Sequence, residues 1–154
     1  MRITKNVVLI GIFLLSLLLA LYRIQDCRLW IDEFFSINIA QRPLSDIWSM
    51  APHPIKFYYN KMPPLYETIL HFIWDQKGTN ILAPLLLSVF FHLASIYLIF
   101  KLTKLLFDVK TGVLAAFLAS LNIAYLVYSK MIRCYALLNI FSLFSLYLFF
   151  LMIK

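Results

Sequence analysis

Four long uncharged stretches constrain the fold of this chain more than any other feature. No Asp, Glu, Lys or Arg occurs in residues 7–22, 81–100, 112–129 or 134–153, which are 16, 20, 18 and 20 residues long. A helix rises about 1.5 Å per residue, so about 20 residues match a hydrocarbon core about 30 Å thick. The chain is also 63% hydrophobic and only 14% charged, which is too apolar for a soluble domain. We therefore predict an all-α integral membrane protein, residues 1–154 forming one membrane domain with four transmembrane helices.

The first stretch is short for a membrane span, but Lys5 and Arg23 can extend their charged ends from it to the surface. The alternative is a cleaved signal peptide, which the basic start at Arg2 and Lys5 would suit. Residues 20–22 read Ala-Leu-Tyr, a poor cleavage site because Tyr22 stands where the last small residue is required. A retained transmembrane helix is therefore the preferred interpretation.

Basic residues predict the orientation. In a four-span chain one side receives Arg2, Lys5, Lys101, Lys104, Lys110 and Lys154. The other side also carries basic residues, in residues 23–80 and in the turn of residues 130–133, but a long loop counts weakly in this rule. This bias places the N-terminus in the cytoplasm and residues 23–80 outside the plasma (inner) membrane. The net charge of +7 suits anionic membrane lipids, whereas no basic cluster is dense enough to indicate a nucleic-acid partner.

The outer loop, residues 23–80, is rich in aromatic residues that favour the headgroup region of a bilayer. They are Trp30, Phe34, Phe35, Trp48, Phe57, Tyr58, Tyr59, Tyr66, Phe72 and Trp74. We predict three short interfacial helices: one over about 32–42, one starting near Ser45 as its N-cap, and one from Pro63-Pro64 to about Trp74. Residues 50–62 should be irregular.

Adjacent acids, Asp32 and Glu33, lie in an aromatic setting in this loop. One interpretation is structural: Asp32 caps the following helix and Glu33 complements its dipole. The other is catalytic, because a carboxylate at a membrane surface can accept a proton from a hydroxyl or amine. A carboxylate that caps a helix is held in a fixed position, which also suits a catalytic base, so the two interpretations are compatible.

Arg133 lies in the short turn between the last two spans, three residues after Lys130. An interfacial anchor is the ordinary role of such an arginine. The functional alternative is a phosphate clamp, since guanidinium binds phosphate oxygens bidentately and keeps its charge. Lys130 would join it if the turn is helical.

Glu67 and His71 are four residues apart and would share a helix face, where they form either an ion pair or two ligands of a divalent metal. His53 would be a third ligand. His92, near the middle of the second span, is a functional candidate by position, although a neutral histidine bonded to a neighbouring helix is the preferred interpretation. Cys27 and Cys134 both map to the outer side, so a disulfide between them is an open alternative.

The order of these motifs resembles the N-terminal part of GT-C fold membrane glycosyltransferases. The motifs are an Asp-Glu pair after the first span, Pro63-Pro64-Leu65-Tyr66 before a short helix, and a Tyr-Ser-x-x-x-Arg-x-Tyr-Ala turn between two spans. The protein O-mannosyltransferases and the aminoarabinose transferases of lipid A are the most similar in this respect. The resemblance covers nearly the whole chain and rests on motif order and spacing.

The resemblance implies transfer of a sugar from a polyprenyl-phosphate donor to a protein, lipid or glycan acceptor at the outer membrane face, with inversion. It implies that Asp32 acts as the base on the acceptor and that Arg133 binds the donor phosphate. Glu33 completes the acidic motif. Pro63, Pro64, Tyr66 and Glu67 would lie beside the site. Lys130 stands where relatives often carry Glu or Gln, so it marks either added phosphate binding or a divergent acceptor site. These motifs require no cofactor, and a bound divalent metal is kept as an alternative.

The same family typically has many more spans, so the resemblance implies that the donor site needs further helices, for example from a second chain. The competing hypothesis is a non-catalytic four-helix membrane subunit that scaffolds a partner. Under that hypothesis Asp32 is a structural residue only.

Overall fold

The computed structural model describes residues 2–26, 29–49, 64–74 and 80–154, and within them all regular structure is helical. The helices are α1 (Arg2–Leu21), α2 (Ile31–Ala40), α3 (Leu44–Ser49), α4 (Leu65–Ile73), α5 (Leu82–Leu106), α6 (Val109–Ser120), α7 (Ile123–Tyr128) and α8 (Tyr135–Ile153), with a 3₁₀ turn at Ile24–Asp26. The prediction of an all-α chain agrees with this part of the structure.

Three helical segments in the described ranges are long and apolar enough to cross a membrane: Asn6–Asp26, Leu82–Leu106 and Tyr135–Ile153. The third predicted span, residues 112–129, is not one continuous helix. It is divided between α6, with 12 residues, and α7, with 6.

The division falls at Asn122. Its side-chain oxygen accepts hydrogen bonds from the N–H groups of Ala124 and Tyr125, at 2.9 and 3.3 Å, and so caps a new helix start. Asparagine favours such local bonds over continuation of a helix. Asp108 caps α6 in the same way through the Thr111 N–H, at 2.8 Å, and this bond lowers the pKa of the Asp108 carboxyl.

α5 is the central helix, with α1, α6 and α8 packed around it. One buried apolar cluster surrounds its first half and includes Ala20, Leu85, Val89, Ile132 and Ala136. A second cluster surrounds its second half and includes Ile12, Ile96, Phe100 and Ala116. Close packing of these side chains holds α5 against its neighbours, and between helices in hydrocarbon such packing stabilises a bundle, because lipid tails are as apolar as the side chains themselves.

The bundle has two distinct ends. The Lys154 ammonium donates to the Leu105 carbonyl at 2.7 Å, which places the end of α8 beside the end of α5. Lys110 lines a groove together with Val8 of α1. The ends of α5 and α8 and the start of α6 therefore lie at one end of the bundle, here called the basic end.

The opposite end, here called the loop end, holds α2, α3, α4 and the turn of residues 129–134. The three predicted loop helices are present, and α4 begins after Pro64 as expected. The role of Ser45 was predicted wrongly, because α3 starts at Leu44 and the Ser45 hydroxyl donates to Asp46 Oδ1 at 3.2 Å. The predicted irregular segment, residues 50–62, lies outside the described residues.

Candidate functional site

Glu33 is the centre of the loop end. Its side chain is 2% exposed, yet both carboxylate oxygens accept hydrogen bonds. Oε2 accepts from the Trp30 N–H at 2.8 Å, and Oε1 accepts from the Ile132 N–H at 2.6 Å. The first bond is the carboxylate half of a capping box, while the second attaches the turn between α7 and α8 to α2.

The structure corrects the capping role of Asp32. The residue preceding α2 is Trp30, so Asp32 lies inside the first helical turn. Glu33, not Asp32, accepts the hydrogen bond from the Trp30 N–H at the start of the helix. The Asp32 side chain is exposed, near Trp30 and Phe34, which are 70% and 53% exposed. An exposed acid among exposed aromatic side chains is the setting that the sequence predicted.

Arg133 joins the turn to the same helix. Its side chain is 7% exposed, and Nη1 donates to the Asp32 carbonyl and to the Ser36 hydroxyl, both at 3.0 Å. The guanidinium carbon also lies 5.7 Å from the centre of the Tyr135 ring, within cation–π range. Asp32, Glu33 and Arg133, which the sequence grouped by resemblance, are therefore neighbours in space.

Lys130 is placed differently from the prediction. The turn of residues 129–134 is not a regular helix, so the expected shared face with Arg133 does not form. The Lys130 ammonium instead donates to the Tyr22 carbonyl at 2.6 Å and lies 5.9 Å from the centre of the Tyr22 ring. A cation at the last carbonyls of α1 stabilises that helix end.

α4 contributes two more buried polar side chains, Tyr66 at 1% and Glu67 at 2% exposure. Burial raises the pKa of the Tyr66 hydroxyl, and the negative charges of Glu67 and Glu33 add to the effect. Burial also raises the pKa of the Cys134 thiol, although the charge of Arg133 opposes the shift. Two acids and one arginine therefore share the interior of the loop end.

His71 has a structural contact. Its Nδ1 donates to the Ala40 carbonyl at 2.7 Å, which joins α4 to the end of α2. Across residues 2–26, 29–49, 64–74 and 80–154, no group of three or more His, Cys, Asp or Glu side chains could hold a metal ion. His53 and Pro63 fall outside these ranges, as does Cys27, the predicted disulfide partner of Cys134.

His92 shares a hydrogen bond with the Ser16 hydroxyl, 2.8 Å from Nε2. It is 2% exposed and joins α5 to α1. The preferred interpretation, a histidine bonded to a neighbouring helix, is confirmed, and that helix belongs to this chain.

Sequence reasoning missed Ser36, which accepts from Arg133, and Ser88, whose hydroxyl donates to the Met131 carbonyl at 2.7 Å. Serine is common in apolar helices, and no local pattern distinguishes these two. Only the placement of the turn on α2 and α5 gives them a role.

No family model, curated protein or solved structure matches this chain.

Proposed function

We propose that this chain belongs to a GT-C-type membrane glycosyltransferase that transfers a sugar from a polyprenyl-phosphate donor to a protein, lipid or glycan acceptor. One observation supports this most directly: Arg133 donates to the carbonyl of Asp32 across 101 positions of sequence. The proposed base and the proposed phosphate ligand are thus joined at one end of the molecule. The resemblance of the motifs supplies the reaction.

The proposed chemistry is a single displacement. The acceptor oxygen or nitrogen attacks the anomeric carbon from the face opposite the phosphate, and the bond from that carbon to the phosphate oxygen breaks. The configuration therefore inverts. Asp32 accepts the acceptor proton, and the polyprenyl phosphate leaves with the bonding electron pair. Asp32 suits this role because its carboxylate is exposed and thus open to an acceptor from the aqueous side.

Arg133 is proposed to stabilise the departing phosphate. A fixed cation near developing negative charge lowers the barrier, and its effect grows where water is excluded. Arg133 is only 7% exposed, so direct contact with the phosphate requires the guanidinium to become more accessible, and donor binding should move residues 129–134. Glu33 would position both groups through its bonds to α2 and to the turn.

We propose four membrane crossings, with α6 and α7 together forming an interrupted third one. Support comes from the contacts at each end. α6 begins beside the basic end, where Gly112 approaches Phe100 and Lys104, whereas the turn after α7 reaches Ser88 and Tyr22 at the loop end. Between these contacts the chain runs along α5 from Phe100 and Lys104 to Ser88. The positive-inside rule then places the basic end in the cytoplasm and the site outside the plasma membrane.

The donor groove is proposed to need further helices, supplied by more of the same polypeptide or by a second chain. The direct test uses proteoliposomes of the complex that contains those helices and a labelled polyprenyl-phosphate sugar. Asp32→Asn should reduce transfer by about 100-fold or more, because general base catalysis contributes about 10²–10⁴. The matched control is Asp46→Asn, an exposed acid on α3, which should retain transfer. Undiminished transfer by Asp32→Asn would reject the base assignment.

A scaffolding subunit is the second candidate. It is favoured by the structural use of the polar groups: Glu33, His71 and Arg133 all join separate elements. Under it, Asp32→Asn would leave both transfer and binding of the second chain intact. Loss of transfer with retained binding would select the catalytic proposal.

A further inference from the structure

One peptide unit of the turn, the unit that joins Met131 to Ile132, is held by side chains from two different helices. Its carbonyl, that of Met131, accepts from the Ser88 hydroxyl of α5 at 2.7 Å. Its N–H, that of Ile132, donates to Glu33 Oε1 of α2 at 2.6 Å. The two groups of a trans peptide point in opposite directions. Ser88 and Glu33 therefore hold this unit from opposite sides.

The Ser88 hydroxyl is directed out of its own helix. The Pro84 carbonyl, one turn earlier in α5, is 3.5 Å away, so the single hydroxyl hydrogen goes to the closer Met131 carbonyl. Ser95 provides the contrast. It lies two turns later on the same face of α5 and is also fully buried, but its hydroxyl donates to the Phe91 carbonyl of its own helix, at 2.9 Å.

Arg133 directly follows the held peptide unit. Its Nη1 bonds to the Asp32 carbonyl and the Ser36 hydroxyl, and both of these partners belong to α2. Ser88 adds a contact from α5, one of the helices long enough to cross a membrane. The turn, and Arg133 with it, is thus fixed to the helix bundle as well as to a loop helix.

We propose that Ser88 is a positioning residue, whose bond to the Met131 carbonyl holds the turn in the position that buries Arg133. The inference rests on the proposed function for the role of Arg133, whose guanidinium must become more accessible to meet the donor phosphate. A ligand binds less tightly when its binding-competent state is a minor one. Loss of the Ser88 bond should therefore favour the accessible position and lower the KM for the donor.

The first test needs no donor. The full chain in proteoliposomes is treated with phenylglyoxal, which modifies accessible guanidinium groups, and peptide mass spectrometry measures each arginine separately. Ser88→Ala should raise the modification rate of Arg133 by about threefold to tenfold, the factor for loss of one hydrogen bond. Arg23, whose side chain is 67% exposed, should react at an unchanged rate.

Ser95→Ala is the matched control, because it removes a buried hydroxyl from the same face of α5 and leaves the turn its partner. Arg133 modification should be unchanged in this variant. Amide hydrogen exchange at Ile132, which reports local opening of the same peptide unit, should become faster in Ser88→Ala only. An unchanged rate at Arg133 in Ser88→Ala, or an equal increase in Ser95→Ala, would overturn the proposal.

The second test measures transfer by the complex that contains the further helices, with a labelled polyprenyl-phosphate sugar. Ser88→Ala should lower the KM for the donor by about threefold to tenfold, because the same opening of the turn governs both measurements. A general loss of stability would instead lower kcat at an unchanged KM. A raised KM would overturn the proposal. If Arg133 reactivity rises while the KM is unchanged, the restraint by Ser88 is upheld and Arg133 is rejected as the phosphate ligand of the proposed function.

Discussion

Glu33 accepts a hydrogen bond from the backbone N–H of Ile132, which lies 99 residues later in the chain, at 2.6 Å. The same carboxylate accepts from the Trp30 N–H at the start of α2. One buried side chain therefore both completes a helix start and holds the turn that carries Arg133. The position of the proposed phosphate ligand depends on this acid.

Glu33→Gln should destabilise the loop end, because glutamine keeps one side-chain acceptor oxygen where two N–H groups need one each. We expect a loss of about 1.5–3 kcal/mol in the free energy of unfolding, the range for hydrogen bonds to charged groups. Glu33→Ala should cost more, since both N–H groups lose their acceptor. The measurement is unfolding in detergent micelles, with exposed Asp46→Asn as the control for charge. Equal stability of Glu33→Gln and the parent chain would contradict the structural role.

Arg133→Ala should weaken donor binding and lower the transfer rate by about 100-fold or more, the scale for losing one electrostatic stabiliser of a departing anion. Arg133→Lys keeps the charge but lacks the guanidinium geometry, so it should recover part of the rate. The measurement is donor affinity and turnover in the reconstituted complex.

Ser36→Ala is the control for Arg133, since it removes one acceptor of the Arg133 Nη1 and leaves the charge. If Ser36→Ala reproduces the full loss, or if Arg133→Ala leaves donor affinity unchanged, Arg133 is a positioning residue and not a phosphate ligand.

The local features of this fold were largely predictable. Uncharged runs located α1, α5 and α8, and Pro64 marked the start of α4, because span length and proline chemistry are properties of short segments. The break at Asn122 was missed, since the apolar run continues through it and the run alone does not predict which asparagine will cap a helix. The grouping of Asp32, Glu33 and Arg133 came from motif resemblance.

The contacts of the site were not predictable in the same way. Lys130 was expected to share a face with Arg133 if the turn were helical, but the turn is not a helix and Lys130 bonds to Tyr22. Glu33 was expected to complement a helix dipole, and it also bonds to Ile132. These partners are about 100 residues apart. Sequence spacing indicates neighbours along one helix, whereas these contacts depend on how separate helices and a turn pack.

Ser16→Ala should destabilise the bundle by about 1 kcal/mol, the typical scale for a polar contact between membrane helices. It removes the partner of the buried His92 Nε2 and so weakens the α1 to α5 contact. Ser95→Ala is the matched control, because the Ser95 hydroxyl donates to the Phe91 carbonyl of its own helix. Thermal unfolding of both variants in micelles tests this. An equal loss in the two would show that the Ser16 to His92 bond adds nothing specific.

Cysteine labelling should place Gln25 and Met131 on one side of the membrane and Lys110 on the other. Gln25 follows α1, and Met131 lies in the turn that Ser88 and Glu33 hold at the loop end. Lys110 lies in the first turn of α6, at the basic end. In a Cys27→Ser, Cys134→Ser background, an impermeant maleimide should label Gln25→Cys and Met131→Cys in intact cells, and Lys110→Cys only after permeabilisation. If Met131→Cys instead requires permeabilisation like Lys110→Cys, α6 and α7 do not cross the membrane.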